Sequence, residues 1–293
     1  MSETIDFDSF LGQAWDDHAT DAAGVAERIA AQGLALVSTA AQIGPLAMLA
    51  HHVFGGHLGQ WAAGRTLLLG LTGHAAIDDA GSAAVQRCLA SLELCAGGTT
   101  PAGMNASDRI RIKAMAAANL AERDTARALV LFEQALADAS AEATALPDAD
   151  PVHRALAVTA NSLACTLEEK PQRSADERAL MIRAALAARR QWAIAGTWLE
   201  IERADYRLAM TWVQASDSAQ ALVHAQNCLA IVQANDAPAL ERFFAWEAKG
   251  VAARAAGDLS GHQQALAQVR EACAALTEAD RGWCQASLDK LAG

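Results

Sequence analysis

Small and apolar side chains recur at spacings of three and four along residues 202–230, ERADYRLAMTWVQASDSAQALVHAQNCLA. Leu208, Ala209 and Trp212 fall on one stripe of a helix, and Ala221, Ala225 and Cys228 on one stripe of a second. Ser216, Asp217 and Ser218 supply a polar turn between them, so the pattern predicts two antiparallel helices that bury these stripes against each other. Gly64, Leu68 and Leu71 repeat the spacing, as do Ala128, Phe132 and Ala135. The expectation is an all-α chain built from helix pairs.

Read in order, residues 5–18 form a short amphipathic helix with Phe7, Phe10, Leu11 and Trp15 on its apolar side. Asp21 caps a longer helix to about Gln42, and Gly44-Pro45 ends it and opens the next. A helix over 82–95 interrupts the pairing and precedes a loop rich in breakers, GGTTPAGMNAS. Ser107 or Asp108 caps the helix that follows. The linker 145–151 carries two prolines, but the repeat is read as running through it. Further helices are expected over 152–169, from Ser174 to Arg190, over 192–215 and over 238–256, with a last one over 279–291. The turn residues Asp217 and Asp258 stand 41 apart, and Asp124 and Asp217 stand 93 apart, about two such periods. Periods of this size with helix-turn-helix content predict a solenoid.

Composition sharpens the class. About a quarter of the chain is alanine, the best helix former, and there is one tyrosine and only six prolines. The net charge of −11 argues against nucleic acid as a partner, because no global positive field is present to meet phosphates. Six cysteines are scattered without CxxC or zinc-ligand spacing and read as buried thiols in a reducing compartment. The acidic N-terminus, MSETIDFDSF, lacks the basic-then-apolar order of a signal peptide, and the expected location is cytoplasmic. Residues 29–64 contain no Asp, Glu, Lys or Arg, yet Gln32, Gln42, His51, His52, His57 and Gln60 interrupt them. Two buried helices are expected there, not a membrane hairpin.

Several segments resemble the tetratricopeptide repeat family: ANLAERDTARALVLFEQALADA, RLAMTWVQASDSAQALVHAQNCLA, KGVAARAAGDLSGHQQALAQV and, more weakly, HHVFGGHLGQWAAGRTLLLGL. ANSLACTLEEK resembles the first helix of the longer repeat found in kinesin light chains. Asn119 and Gly55 depart from the pattern, standing where a tyrosine or leucine is expected. The resemblance implies a right-handed α-α superhelix, with capping helices over 1–44, repeats over 45–278 and a C-terminal capping helix over 279–293. It also implies a groove lined by the first helix of each pair, and hence a scaffold that binds a peptide or partner segment.

By helical phase the groove face carries Arg203, Tyr206, Arg207, Met210 and Gln214, with Lys113 on an earlier pair and Asn161, Cys165 and Glu168 on the next. One reading is a solvated charged face. The other is that Lys113, Asn161, Arg203 and Arg207 form a basic, amide-bearing row beside Tyr206 and Met210, suited to an acidic or carboxylate-ended segment. It is similar to the carboxylate clamp of co-chaperone repeats, although Ala117 and Ser162 stand where that clamp has asparagines. A small-ligand sensor or enzyme using polar groups of residues 198–207 is the alternative. Glu200, Glu202 and Asp205 are its acid-base candidates, though ordinary helix ion pairs explain them as well. His51, His52, His57 and His74 lack i,i+4 ligand spacing and any HExxH, so they are read as core or patch histidines. No catalytic residue, cofactor or metal is expected.

Overall fold

The structure is a computed structural model in which residues 5–141 and 146–293 are described. Ala145 of the linker and the first four residues of the acidic N-terminus lie outside that set. Every regular element among the described residues is helical. None of the helices is long and apolar enough to cross a membrane. The chain divides into two compact units, Met1–Pro147 and Asp148–Gly293. The division falls inside the proline-containing linker through which the repeat was read as continuous.

The first unit comprises α1 (Phe7–Asp17), α2 (Ala22–Arg28), a π-helical segment (Ile29–Gly33), α3 (Leu34–Leu36), α4 (Ala40–Ala50), a second π-helical segment (His51–His57), α5 (Trp61–Thr72), α6 (Asp79–Cys95), α7 (Ala106–Leu120) and α8 (Thr125–Ala141). Its core gathers Phe10, Val25, Ile29, Ile43, Leu46, Leu49, Leu68, Leu71, Val85 and Leu92. Helix α6 packs against α4, α5 and α7, so the pairing of neighbours is broken where the sequence interposes an extra helix. The helix that Asp21 caps does not run to Gln42. It stops at Leu36, and α4 begins five residues before Pro45. The reason is a capping box: Gln42 Oε1 accepts from the backbone N–H groups of Ser38 and Thr39, at 2.8 and 3.1 Å. Pro45 lies inside the helix, where the missing N–H costs one intrahelical bond.

The second unit holds three hairpins and a final helix: α9 (Pro151–Glu168) with α10 (Ala175–Ala195), α11 (Trp198–Gln214) with α12 (Ser218–Ala234), α13 (Ala239–Ala255) with α14 (Leu259–Ala274), then α15 (Glu278–Ala292). Helix α11 starts later than the pattern placed it. Gly196 and Thr197 break the run, and Thr197 forms a capping box with Glu200. Residues 202–230 are a hairpin as expected. Glu202 meets Cys228 and Asp205 meets His224, so the two helices run in opposite directions. Ala209, Ala221 and Ala225 are buried together, and Ala248 and Ala252 of α13 join them. The turn relies on Ser216 at φ 63°, with the Asp217 N–H bonded to the Trp212 carbonyl at 2.9 Å. In the next hairpin Gly257 takes the equivalent place at φ 75°, with Asp258 N–H bonded to the Ala253 carbonyl at 2.9 Å.

Because the Ala225 methyl is fully buried in that seam, a larger side chain has nowhere to go. Ala225→Leu is expected to destabilise by about 1–3 kcal/mol, whereas Ala→Leu at the exposed Ala230 is expected to change little. Thermal melting of both variants checks this, and equal tolerance contradicts the seam.

Candidate functional site

In the second unit the first helices α9, α11 and α13 lie side by side, and polar side chains tie each to the next. Arg207 of α11 donates from Nη1 to Glu168 Oε2 of α9 at 2.6 Å, and Thr211 donates to the other oxygen of Glu168. Arg203 of α11 forms a two-pronged bond to Glu241 of α13, Nη2 to Oε1 at 2.6 Å and Nε to Oε2 at 3.3 Å. The Tyr206 hydroxyl donates to Glu247 of α13 at 3.1 Å. These contacts follow from the helical period, which puts 203, 207 and 210 on one side of α11.

An aromatic row runs through the same face. Tyr206 meets Phe244 edge to face with ring centroids 5.6 Å apart, and Phe244 meets Trp283 of α15 at 5.2 Å. Trp283 is 68% exposed. Three alternate helices, α11, α13 and α15, thus each contribute one ring, in the edge-to-face geometry that aromatic quadrupoles favour.

Sequence reasoning placed Arg203, Tyr206, Arg207 and Met210 on a common face, and they share one. It did not foresee their partners. The arginines are not ion-paired to the helix neighbours Glu200 and Glu202 but to Glu241 and Glu168 on the flanking first helices. Arg203 nevertheless keeps a side chain that is 59% exposed, with Nη1 outside both of its bonds. Arg207 Nε is buried and finds no partner among the described residues. Met210 packs with Ala209 and Trp212. Asn161 of α9 makes only a weak contact, at 3.8 Å, to Cys165 Sγ one turn on. Lys113 belongs to the first unit, where it crosses its own hairpin to Asp138 of α8. The four basic and amide groups are therefore not all open donors, because each lysine or arginine already holds a carboxylate.

Of the three acids, Glu202 and Asp205 face inward, whereas Glu200 caps its own helix at Thr197. Glu202 and Asp205 are each 1% exposed. Asp205 is held between Arg189 Nε at 2.6 Å and His224 Nδ1 at 2.8 Å. Glu202 Oε1 accepts from Cys228 Sγ at 2.7 Å, and its Oε2 has no partner among the described residues. Burial pushes the Glu202 carboxyl up from 4.5 to about 7, and the neighbouring Glu241 carboxylate adds repulsion, while the bond from Cys228 pulls the other way. Burial likewise raises Glu168 and Glu247, opposed by Arg207 and by Ser287 respectively.

The first unit brings together groups that the sequence did not connect. His18, just past α1, meets His52 and His57 of the second π-helical segment. His51 points elsewhere: it is buried and bonded to Ser91 Oγ at 2.9 Å and to Asn119 Nδ2 at 3.0 Å. His74 accepts from the backbone N–H of Ala76. Burial lowers His52 to about 4 and also lowers His57, and the other imidazoles add to both shifts. Comparison of the chain with protein-family models, curated proteins and solved structures finds no match.

The raised Glu202 pKa has a signed consequence. The folded chain holds this proton where the unfolded chain has released it, so the stabilisation is complete below about pH 4.5 and is lost as pH rises through 7. Glu168 and Glu247 act in the same direction, whereas His51 and His52, lowered by burial, cost stability as pH falls. Glu202→Gln keeps the acceptor for Cys228 and removes only this titration. Its stability advantage over the native chain is expected to grow from pH 5 to pH 8, by on the order of 2 kcal/mol. Parallel denaturant melts at each pH measure the difference, and a pH-independent offset contradicts the assignment.

Proposed function

We propose that this chain is a tetratricopeptide-like scaffold whose helix pairs stack in a right-handed sense, and that its second unit holds an extended segment of a partner protein. The observation that carries the reading is the row Tyr206–Phe244–Trp283, which ends in a tryptophan left 68% exposed on the first-helix face. Tryptophan and arginine are the residue types enriched at interaction hot spots. Arg203, joined to Glu241 by its two-pronged bond, keeps Nη1 outside those bonds on the same helix as Tyr206. A segment with an apolar or aromatic anchor and a nearby carboxylate satisfies both features. Six free cysteines accord with a cytoplasmic setting. The sensor or enzyme reading is weaker, because the acids it needs, Glu202 and Asp205, are buried among side-chain partners.

Selection of linear peptides against the full-length chain tests the proposal. Peptides selected on the native protein are expected to lose at least about tenfold in affinity, some 1.4 kcal/mol, on Trp283→Ala. Those carrying Asp, Glu or a free carboxyl end are expected to weaken further on Arg203→Glu and at higher salt. Circular dichroism confirms that each variant keeps its helical content. Selected peptides whose affinity is unchanged by Trp283→Ala remove the aromatic row from the site.

A further inference from the structure

The second π-helical segment, HHVFGGH, departs from α-helical geometry at the place where two histidines stand five residues apart. In an α-helix a step of five turns a side chain by about 140° away. A π-helix closes i→i+5 bonds and sets His57 one turn beyond His52 on the same side. The Nε2 atoms of the two rings lie 3.1 Å apart. His18 completes the group, and one ligand nitrogen from each of the three histidines lies within 4.8 Å of the other two.

The surroundings fix these rings. His18 Nδ1 is bonded to the Trp15 carbonyl, which leaves Nε2 as its free lone pair. The Trp15 ring packs on both His18 and His52, with centroids 5.2 and 5.4 Å away. Arg123 donates to the carbonyls of Gly56 and His57 and so holds the end of the π turn. On its other side, a side chain at Gly55 would come within 2.5 Å of Asn119, which in turn holds His51. The two residues that break the repeat pattern, Gly55 and Asn119, are therefore in contact with each other and brace the turn that aligns His52 with His57.

We propose that His18, His52 and His57 form a binding site for one divalent transition-metal ion of the zinc class. Three imidazoles with neither thiolate nor carboxylate are borderline nitrogen donors, which suit zinc, copper, nickel or cobalt and not calcium or magnesium. A tetrahedral ion with nitrogens at about 2.0–2.1 Å holds them roughly 3.3 Å apart, close to the spacing of His52 and His57. With no ion bound, one ring donates its Nε2–H to the Nε2 lone pair of the other, and an ion held by both rings takes the place of that proton. Three protein ligands leave a fourth position for water or an exogenous ligand, the arrangement of an open site.

The test uses the full chain, free of any affinity tag and stripped by chelator, titrated calorimetrically with zinc and followed by absorbance with cobalt. One high-affinity ion per chain is expected, with cobalt bands of a four-coordinate nitrogen and oxygen site and no thiolate charge-transfer band. His57→Ala and His52→Ala are each expected to weaken binding by about 100-fold, and His74→Ala to leave it unchanged. In the native chain, long-range proton–nitrogen spectra should show three perturbed imidazoles, which keeps the test independent of how well the variants fold. Absence of tight binding, a thiolate band, or affinity indifferent to His52 and His57 overturns the proposal.

Discussion

Alanine at a helix contact lets two backbones come close and gives little apolar area in return. In the second unit this trade governs nearly everything else. Within the α11–α12 hairpin, Ala209, Ala221 and Ala225 close the seam, and Ala248 and Ala252 carry it to α13. Beyond that seam, long polar side chains with apolar stems span the distance between neighbouring first helices, as Arg203 and Arg207 do. Glu168, which Arg207 meets, is raised by burial, and so are Glu202 and Glu247, which are held by Cys228 and Tyr206.

The hairpins were legible because their signals are local. A four-then-three spacing, a capping serine or aspartate and a turn at Ser216 are all contained within about thirty residues. Two helix boundaries were misread for a related reason. Gly44-Pro45 is a conspicuous breaker, but Gln42 reaching back to Ser38 and Thr39 is a stronger start signal. Gly196 was passed over because the alanine-rich pattern continues on both sides of it, although Thr197 and Glu200 spell a capping box.

The face of α11 was equally legible, and what it touches was not. Periodicity places Arg203 and Arg207 together, but their partners lie 38 and 39 residues away and are set by how hairpins stack. The histidine cluster was hidden more deeply. Spacing rules assume α-helical phase, and the five-residue step is meaningful only on a π turn, where Gly55 lies against Asn119, a residue remote in sequence. Those two positions were noticed as departures from a repeat. A departure shared by two touching residues is a sign of a local structure with its own requirements.

The division of labour among contacts in the second unit gives it an uneven mechanical character. The α11–α12 seam and its continuation to α13 are a packing of alanines, which added electrolyte leaves intact. Charge pairs lie over the contacts between successive first helices, Arg207 with Glu168 and Arg203 with Glu241, and the more exposed of these lies within reach of counterions. Ionic strength therefore acts on these outer clasps and leaves the alanine seam beneath them in place, so that the unit has a frame indifferent to salt and a trim that responds to it.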